Sequence, residues 1–221
     1  MQKQKTQKQR TIAENKKQEN SFCKLQVEKK SEASLPTQYG IFKIIVFTGG
    51  IENKEYVALT LGDVKGKENV LLRAHSKCLT GDTLFSLKCD CGPQLKNAFE
   101  LIQKEGSGVI IYLDQEGRGI GLTNKIKAYA LQDQGYDTVE ANTKLGLGVD
   151  IRKYHIPAKI IKYLGIKSIK LLTNNPDKVQ SLEKCGIIIS SRIPSKIKPN
   201  KYNEKYLSTK KSKLGHMICE N

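Results

Sequence analysis

Three cysteines stand close together in the sequence, and two of them are separated by a single residue. Cys78 lies eleven positions before Cys89, which is followed by Asp90 and Cys91. Three thiolates could hold one zinc ion and leave its fourth position open to water, as in catalytic zinc sites, whereas structural zinc usually has four protein ligands. The following Gly92-Pro93 would let the backbone turn so that the thiols converge. The alternative is three unpaired thiols in a loop beside the core.

A glycine-rich stretch could bind phosphate. Residues 115–121 read Gln-Glu-Gly-Arg-Gly-Ile-Gly and follow a strand-like segment. Glycines at alternate positions let backbone amides approach an anion, and Arg118 offers a fork of donors. The glycine spacing is not that of a dinucleotide fingerprint, and the chain has no P-loop. A plain turn between a strand and a helix is the competing interpretation.

Two further polar groups could take part in the same chemistry. Asp150 and Arg152 would face the same side of an extended loop, as a proton acceptor and an anion clamp, although a surface salt bridge would also explain them. Residues 173–175 read Thr-Asn-Asn at the end of a strand, where open α/β sheets often bind ligands, and Lys178 could reach the same place. A turn with Asn in the left-handed conformation is the alternative there.

The first half of the chain must position these residues on strands and one helix. Segments 41–47, 56–61 and 70–75 are strand-like and separated by turn residues, which predicts an antiparallel start. Apolar residues at 95, 98, 99 and 102 predict an amphipathic helix ending near Gly106, and 109–113 reads as a buried strand.

The second half alternates helices and strands. Thr123 is the expected N-cap of a helix through Gln134, and further helices are expected at 156–164 and from Pro176 to a stop at Gly186. Strands are expected at 168–173 and 187–190, and the segment beyond Pro199 reads as irregular, then helical. The fold class is therefore α+β, a mixed sheet with antiparallel strands first and then alternating helices and strands, in a single domain.

Composition separates a tail from this domain. Residues 1–35 are rich in Lys, Gln, Glu and Asn and are predicted to form a basic extension that is disordered or weakly helical. Order is expected to begin near Leu35, and the domain to cover 36–221. The net charge of +16 is compatible with an anionic partner, but a solvated lysine-rich surface is the more common explanation.

The remaining composition gives expectations about location and cysteine use. No run approaches about 18 apolar residues and no secretory signal is visible, so a cytoplasmic protein without a membrane role is expected. Cys185 reads as a small buried hydrophobe. Cys23 and Cys219 lie near the termini, and we assign no function to these three cysteines.

The series of motifs resembles GTP cyclohydrolase II, the enzyme that opens riboflavin biosynthesis. Matching strings are Arg-x-His-Ser-x-Cys-Leu-Thr-Gly-Asp at 73–82, Ser-Leu-x-Cys-Asp-Cys-Gly at 86–92, Gln-Glu-Gly-Arg at 115–118, Asn-Lys-Ile at 124–126, Ala-Tyr-Ala-Leu-Gln-Asp-x-Gly at 128–135, Asp-Thr-Val-Glu-Ala-Asn at 137–142, Leu-Leu-Thr-Asn-Asn-Pro at 171–176 and Lys-Leu-Gly-His at 213–216. The resemblance covers roughly residue 36 to the end.

The resemblance implies a residue for each role. It implies one Zn²⁺ per chain on Cys78, Cys89 and Cys91, Asp150 as proton acceptor, Arg152 acting on the α-phosphate, and Tyr129 as important for turnover. The implied GTP-binding residues are Arg73, Ala74, His75, Ser76, Lys77, Gln94, Glu116, Gly117, Arg118, Thr138, Thr173 and Lys178.

The family's reaction, which also uses Mg²⁺ with the triphosphate, opens the guanine imidazole ring at carbon 8. It releases formate and pyrophosphate and leaves 2,5-diamino-6-(5-phosphoribosylamino)pyrimidin-4(3H)-one. A zinc-bound water with a pKa near 7 suits this chemistry. The resemblance further implies a homodimer, and the short N-terminal segment predicts a monofunctional enzyme.

One departure and two alternatives accompany the resemblance. Lys77 stands where family members commonly carry an acidic or amide residue, which puts a specific side-chain contact there in doubt. A zinc-containing nucleic-acid-binding protein would fit the basic charge, but 6 % aromatic residues and no Trp provide little stacking surface, so no nucleic-acid partner is expected. Retention of the cysteines, Asp150, Arg152 and Tyr129 argues against a non-catalytic homologue.

Overall fold

One mixed sheet of seven strands organises the computed structural model of the chain, which describes residues 26–50, 53–148 and 150–217. The strands are β1 Val27–Thr37, β2 Gly40–Gly49, β3 Lys54–Leu61, β4 Val70–Ser76, β5 Gly108–Leu113, β6 Ile169–Leu172 and β7 Ile189–Ile193. They lie side by side in the order β1-β2-β3-β5-β4-β6-β7.

Helices and two short turns connect the strands. The helices of the described residues are α1 Cys91–Glu105, α2 Gly121–Asp133, α3 Thr138–Lys144, α4 His155–Tyr163, α5 Pro176–Lys184 and α6 Glu204–Leu214. A π turn, Leu79–Thr83, follows β4, and a 3-10 turn, Glu116–Gly119, follows β5. Within the described ranges, no helix is both long and apolar enough to cross a membrane.

The sheet changes from antiparallel to parallel pairing at β5. Strands β1, β2, β3 and β5 pair antiparallel, whereas β5, β4, β6 and β7 pair parallel. Parallel neighbours need a crossover connection, and α1 provides it between β4 and β5. The predicted α+β fold with a mixed sheet is confirmed. The antiparallel start holds for β2 and β3, but β4 pairs with β5 and β6 instead of β3.

Order begins earlier than the sequence predicts. Strand β1 starts at Val27 and pairs antiparallel with β2 from Val27 opposite Gly49 to Thr37 opposite Gly40. The predicted disordered extension to residue 35 is therefore wrong for 27–35. The reason is that β1 is an edge strand whose stability comes from backbone pairing, while its charged side chains remove the apolar periodicity that would indicate a strand. Residues 1–25, and with them Cys23, lie outside the described residues, as does Cys219.

The core covers both faces of the sheet. On one face, Ile111 of β5 packs in a cluster with Ile160 of α4 and Leu182 of α5. On the other face, Ile110 packs with residues of α1 that include Ile102. Successive residues of a strand point to opposite faces, so a strand buried on both sides needs a continuous apolar run. This explains the run at 109–113 and confirms it as a buried strand.

Several element ends differ slightly from expectation. The second predicted helix begins at Gly121, so Thr123 lies in the first turn of α2 and is not its N-cap. Gly135, with φ 104°, follows the end of α2 as predicted. Helix α3 was not predicted; it is short and is held by a capping box between Asp137 and Glu140. Cys185 follows α5 as its C-cap and packs against the core, but it is only partly buried, whereas a buried side chain was expected.

Candidate active site

A cleft of about 980 Å³ of empty space, including its opening to solvent, lies at the carboxyl ends of β4, β5 and β6. Ligands commonly bind at this edge in parallel sheets. The predicted site residues that line the cleft are Arg73, His75, Ser76, Lys77, Cys78, Cys89, Cys91, Gln94, Glu116, Gly117, Arg118, Tyr129, Thr138, Arg152, Thr173 and Lys178. Of the other two, the Ala74 carbonyl accepts a hydrogen bond from Lys178, and Asp150 pairs with Arg152.

The three predicted thiols come together at one end of the cleft. The Sγ atoms of Cys78, Cys89 and Cys91 all lie within 4.8 Å of one another, and those of Cys78 and Cys89 are 3.7 Å apart. Tetrahedral zinc with Zn–S bonds of about 2.3 Å would place two sulfurs roughly 3.8 Å apart. The soft donor set and this spacing therefore fit zinc.

Two glycines allow the thiols to approach so closely. A Cβ on Gly81, in the π turn, would lie 2.8 Å from Cys89 Sγ and 3.2 Å from Cys78 Sγ. A Cβ on Gly92 would lie 2.2 Å from the Gly81 carbonyl oxygen. A Cβ at either position would approach its neighbours more closely than normal van der Waals contact allows. The turn can therefore close over the sulfurs only with glycine at these positions. Cys91 is itself the first residue of α1, so the helix fixes the third thiol.

Lys125 of α2 places a positive charge beside the thiol cluster. The sequence alone did not predict this contact. Its Nζ lies 3.0 Å from Cys78 Sγ, 2.8 Å from Thr80 Oγ1 and 2.8 Å from Glu116 Oε1. Hydrogen bonds from Cys89 and Cys91, together with Lys125, hold the pKa of the Cys78 thiol well below its ordinary value. Burial lowers the pKa of Lys125, but Cys78 and Glu116 raise it more, so the ammonium stays charged.

A buried carboxylate ties the thiol loop to the sheet. Asp82 accepts hydrogen bonds from the Cys78 backbone N–H at 3.0 Å and the Tyr112 hydroxyl at 2.8 Å, and it lies 3.1 Å from His75 Nε2. Burial lowers the pKa of His75 despite the neighbouring Asp82. These contacts fix Cys78 relative to β4 and β5.

The glycine-rich turn after β5 presents an arginine to the cleft. Gly117 and Arg118 both have φ 61°, a left-handed conformation that is strained for a residue with a side chain. Both terminal guanidinium nitrogens of Arg118 are buried and have no hydrogen-bond partner among the described residues. Glu116 secures the turn, because its Oε2 accepts from the Leu79 N–H at 2.6 Å. Donors left unsatisfied inside a cleft suit an anionic ligand better than a plain turn.

The Asp150–Arg152 pair lies at the rim of the cleft. Asp150 Oδ1 accepts hydrogen bonds from Arg152 Nε at 2.9 Å and from the Arg152 backbone N–H at 3.1 Å, and the two side chains form an ion pair. The Arg152 side chain is only 13 % exposed, so the pair is not an ordinary surface salt bridge. Burial raises the pKa of Asp150, but Arg152 lowers it more, which leaves the carboxylate ionised.

Lys178 reaches the cleft from α5, as predicted. Its buried Nζ donates to the Ala74 carbonyl at 2.6 Å, and burial together with Arg73 and Arg152 holds its pKa well below the ordinary value. Asn175 has φ −92° and caps α5 by accepting from the Asp177 N–H at 3.0 Å. The left-handed Asn turn considered for this segment is therefore wrong at Asn175.

Lys77 lines the cleft with a largely exposed side chain. Its side chain is exposed, with Nζ 3.4 Å from Asp114 Oδ1, while its backbone N–H donates to the Leu113 carbonyl at 2.8 Å. The backbone at this position is therefore held by β5, independently of the side-chain type.

Three residues that line the cleft near the C-terminal end of the described chain were not predicted as site residues from the sequence. Tyr206, Lys210 and His216 line the cleft from α6 and the residues that follow. Of these, only His216 belongs to a quoted motif, the Lys-Leu-Gly-His string at 213–216. Nothing in the local sequence places Tyr206 or Lys210 near the cysteines, because they are more than 100 residues away along the chain.

Comparison with known proteins gives consistent matches. A family model described as GTP cyclohydrolase II matches residues 28–194. The GTP cyclohydrolase-2 of Neisseria meningitidis is 56 % identical over 188 residues, covering 84 % of this chain and 94 % of that protein. The GTP cyclohydrolase-2 of Actinobacillus succinogenes is 52 % identical over 195 residues, covering 88 % and 90 %.

A longer relative also matches. The riboflavin biosynthesis protein RibBA of Aquifex aeolicus is 55 % identical over 193 residues, which cover 87 % of this chain and 48 % of that protein. The chain thus spans about half the length of RibBA and most of the length of the GTP cyclohydrolase-2 relatives.

Proposed function

The chain belongs to the GTP cyclohydrolase II family, and on that premise we propose that it hydrolyses GTP as the first step of riboflavin biosynthesis. The reaction opens the guanine imidazole ring. It releases formate and pyrophosphate and gives 2,5-diamino-6-(5-phosphoribosylamino)pyrimidin-4(3H)-one. The observation that carries this proposal is that a three-thiol cluster and a set of buried cationic groups line the same cleft.

Cys78, Cys89 and Cys91 would hold one zinc ion per chain. When bound there, zinc supplies a water molecule whose pKa is lowered to about 7 and which can act on carbon 8 of guanine. The protein's own contribution is to hold the three thiols in place and to keep Cys78 ionised. Lys125 offsets their negative charge and Asp82 fixes the backbone of Cys78.

Arg118, Arg152 and Lys178 would bind the triphosphate, together with Mg²⁺. Arg118 offers two terminal nitrogens without a hydrogen-bond partner, and the guanidinium of Arg152 lines the same cleft. Charge-assisted hydrogen bonds from arginine to phosphate oxygens are among the strong ones, and positive charge stabilises the pyrophosphate as it leaves. Arg152 would act at the α-phosphate, as the family resemblance implies.

The remaining site residues would hold the guanine end and move protons. Asp150 is ionised and lies beside Arg152 at the rim, and a proton acceptor must be deprotonated. Tyr129 of α2 lines the cleft near the thiol cluster, where burial raises the pKa of its hydroxyl and keeps it protonated. Residues 73–77, Gln94, Glu116, Gly117, Thr138 and Thr173 complete the binding site in this proposal.

The family resemblance extends the proposal to a cytoplasmic homodimer. The basic surface, with a net charge of +16, would attract GTP electrostatically.

A turnover assay tests the proposal. Purified zinc-loaded protein is mixed with GTP and Mg²⁺, the pyrimidine product is followed by absorbance, and formate and pyrophosphate are quantified. We expect one formate and one pyrophosphate for each GTP consumed. Release of inorganic phosphate without formate, or no reaction, would refute the proposed activity.

A further inference from the structure

The cleft is completed by a helix that lies beyond the residues matched by the family model. That match ends at residue 194, whereas α6 begins at Glu204. Tyr206 and Lys210 are four residues apart, so they lie on the same face of α6, and both line the cleft. The helix therefore supplies side chains to a site that the matched region alone leaves open.

Lys210 ends a chain of buried polar contacts. Its Nζ lies 2.5 Å from Asp90 Oδ1, and both side chains are less than 10 % exposed. Asp90 Oδ2 accepts from Gln94 Nε2 at 2.6 Å, and Gln94 Oε1 accepts from an Arg73 Nη2. Arg73 Nη1 donates to the Leu172 carbonyl at 3.0 Å. Without Lys210, the Asp90 carboxylate would be buried without its cationic partner, which is strongly unfavourable.

Tyr206 packs against two cationic side chains of the cleft, Arg118 and Lys210. Its ring centroid lies 5.6 Å from Arg118 Cζ and 4.5 Å from Lys210 Nζ. Distances below about 6 Å allow a cation–π attraction. An aromatic face orients a guanidinium without using its N–H donors, so the terminal nitrogens of Arg118 stay available for a ligand.

Contacts along its length hold α6 against the cleft. Lys205 Nζ donates to the Gly135 carbonyl at 2.6 Å, and Lys213 forms ion pairs with Asp137 and Glu140 at the start of α3. After the helix, the Met217 N–H donates to the Asn174 carbonyl at 2.9 Å. The helix is thus fixed at both ends to elements that border the cleft.

We propose that α6 is part of the nucleotide site, with Tyr206 positioning Arg118 and Lys210 positioning Gln94 and Arg73 through Asp90. This inference rests on the proposed function. It assigns positioning roles and not contact with the reacting atoms. Its consequence is that changes on α6 should weaken GTP binding while leaving the thiol cluster intact.

The test compares four variants of the full-length, zinc-loaded enzyme. Tyr206→Leu removes the aromatic face, whereas Tyr206→Phe keeps it. Lys210→Met removes the buried charge, and Lys211→Met removes an exposed charge from the same helix. KM for GTP and kcat for formate release are measured, along with zinc content and melting temperature.

We expect KM for GTP to rise about ten-fold for Tyr206→Leu and Lys210→Met. The reason is that losing one interaction with a charged group typically lowers affinity by about ten-fold. Tyr206→Phe and Lys211→Met should keep the wild-type KM, and all four should keep wild-type zinc content. If Lys210→Met does not fold, the Tyr206 pair decides the question.

Two results would overturn the inference alone. They are an unchanged KM for Tyr206→Leu in an active enzyme, or an equal rise in KM for Tyr206→Phe. A wild-type enzyme that forms no formate would instead refute the proposed function and, with it, the inference that rests on it.

Discussion

The two ends of the cleft are built differently. At the thiol end, charged groups pair with one another, since Cys78 contacts Cys89 and Lys125, and Lys125 contacts Glu116. At the cationic end, the terminal nitrogens of Arg118 have no partner among the described residues, and the backbone is strained. The difference fits the proposed function, in which one end would hold a metal ion and the other would bind an anion that arrives and leaves.

The largest effect is expected at the thiol end. Cys89→Ser replaces a thiolate with a poor zinc ligand and should reduce formate release by roughly a thousand-fold or more, because the source of the nucleophile is lost. Metal analysis should show the matching loss of zinc. Cys185→Ser, which lies outside the cleft, is the control and should keep both properties. Unchanged formate release in Cys89→Ser would remove Cys89 from the ligand set.

Arg152→Ala tests the cationic end. We expect pyrophosphate release to fall by about 10²–10³-fold while zinc content stays at the wild-type value, because charge stabilisation is lost at the leaving group. The measurement is the rate of pyrophosphate release at saturating GTP. Lys153→Ala, at the neighbouring position, is the control. Full activity would mean that Arg152 only pairs with Asp150.

Lys125→Met sharpens the comparison, because it removes the cation that partners the thiols without removing a ligand. Loss of such a neighbouring contact should weaken zinc affinity by about 10–100-fold. Competition with a chelator measures this, and Lys127→Met, exposed on the same helix, is the control. Zinc affinity equal to that of the control would show that the thiols need no charge compensation.

The smallest effect concerns the pH dependence of stability. The pKa of Asp150 is lower in the folded protein, because Arg152 outweighs the effect of burial. Its pairing therefore stabilises the fold above the ordinary pKa of about 4 and is lost as pH falls through the lowered value. Melting temperatures of the wild type and Asp150→Asn should differ at neutral pH and converge in acid. A difference that stays constant down to acidic pH would contradict this ionised pair.

Most of the strands and the cysteine cluster were predictable, because they depend on local patterns. The apolar run at 109–113 predicts a buried strand, and the glycines after it predict a turn. Together they indicate from sequence alone that Arg118 lies in a turn after that strand. Strand β1 was missed because its stability comes from pairing with β2 and not from its own periodicity. Lys125 and Lys210 were missed for a related reason: they reach Cys78 and Asp90 across 47 and 120 positions of the chain, through contacts that only the tertiary fold creates.

The central claim is that the two ends act separately, the cationic end binding GTP and the thiol end opening the ring. The direct test is to remove zinc with a chelator, measure GTP binding by equilibrium dialysis, and then restore zinc while measuring formate. We expect metal-free protein to bind GTP but form no formate, and added zinc to restore formate release. Formate release at the wild-type rate by metal-free protein, or no recovery with zinc, would contradict the account.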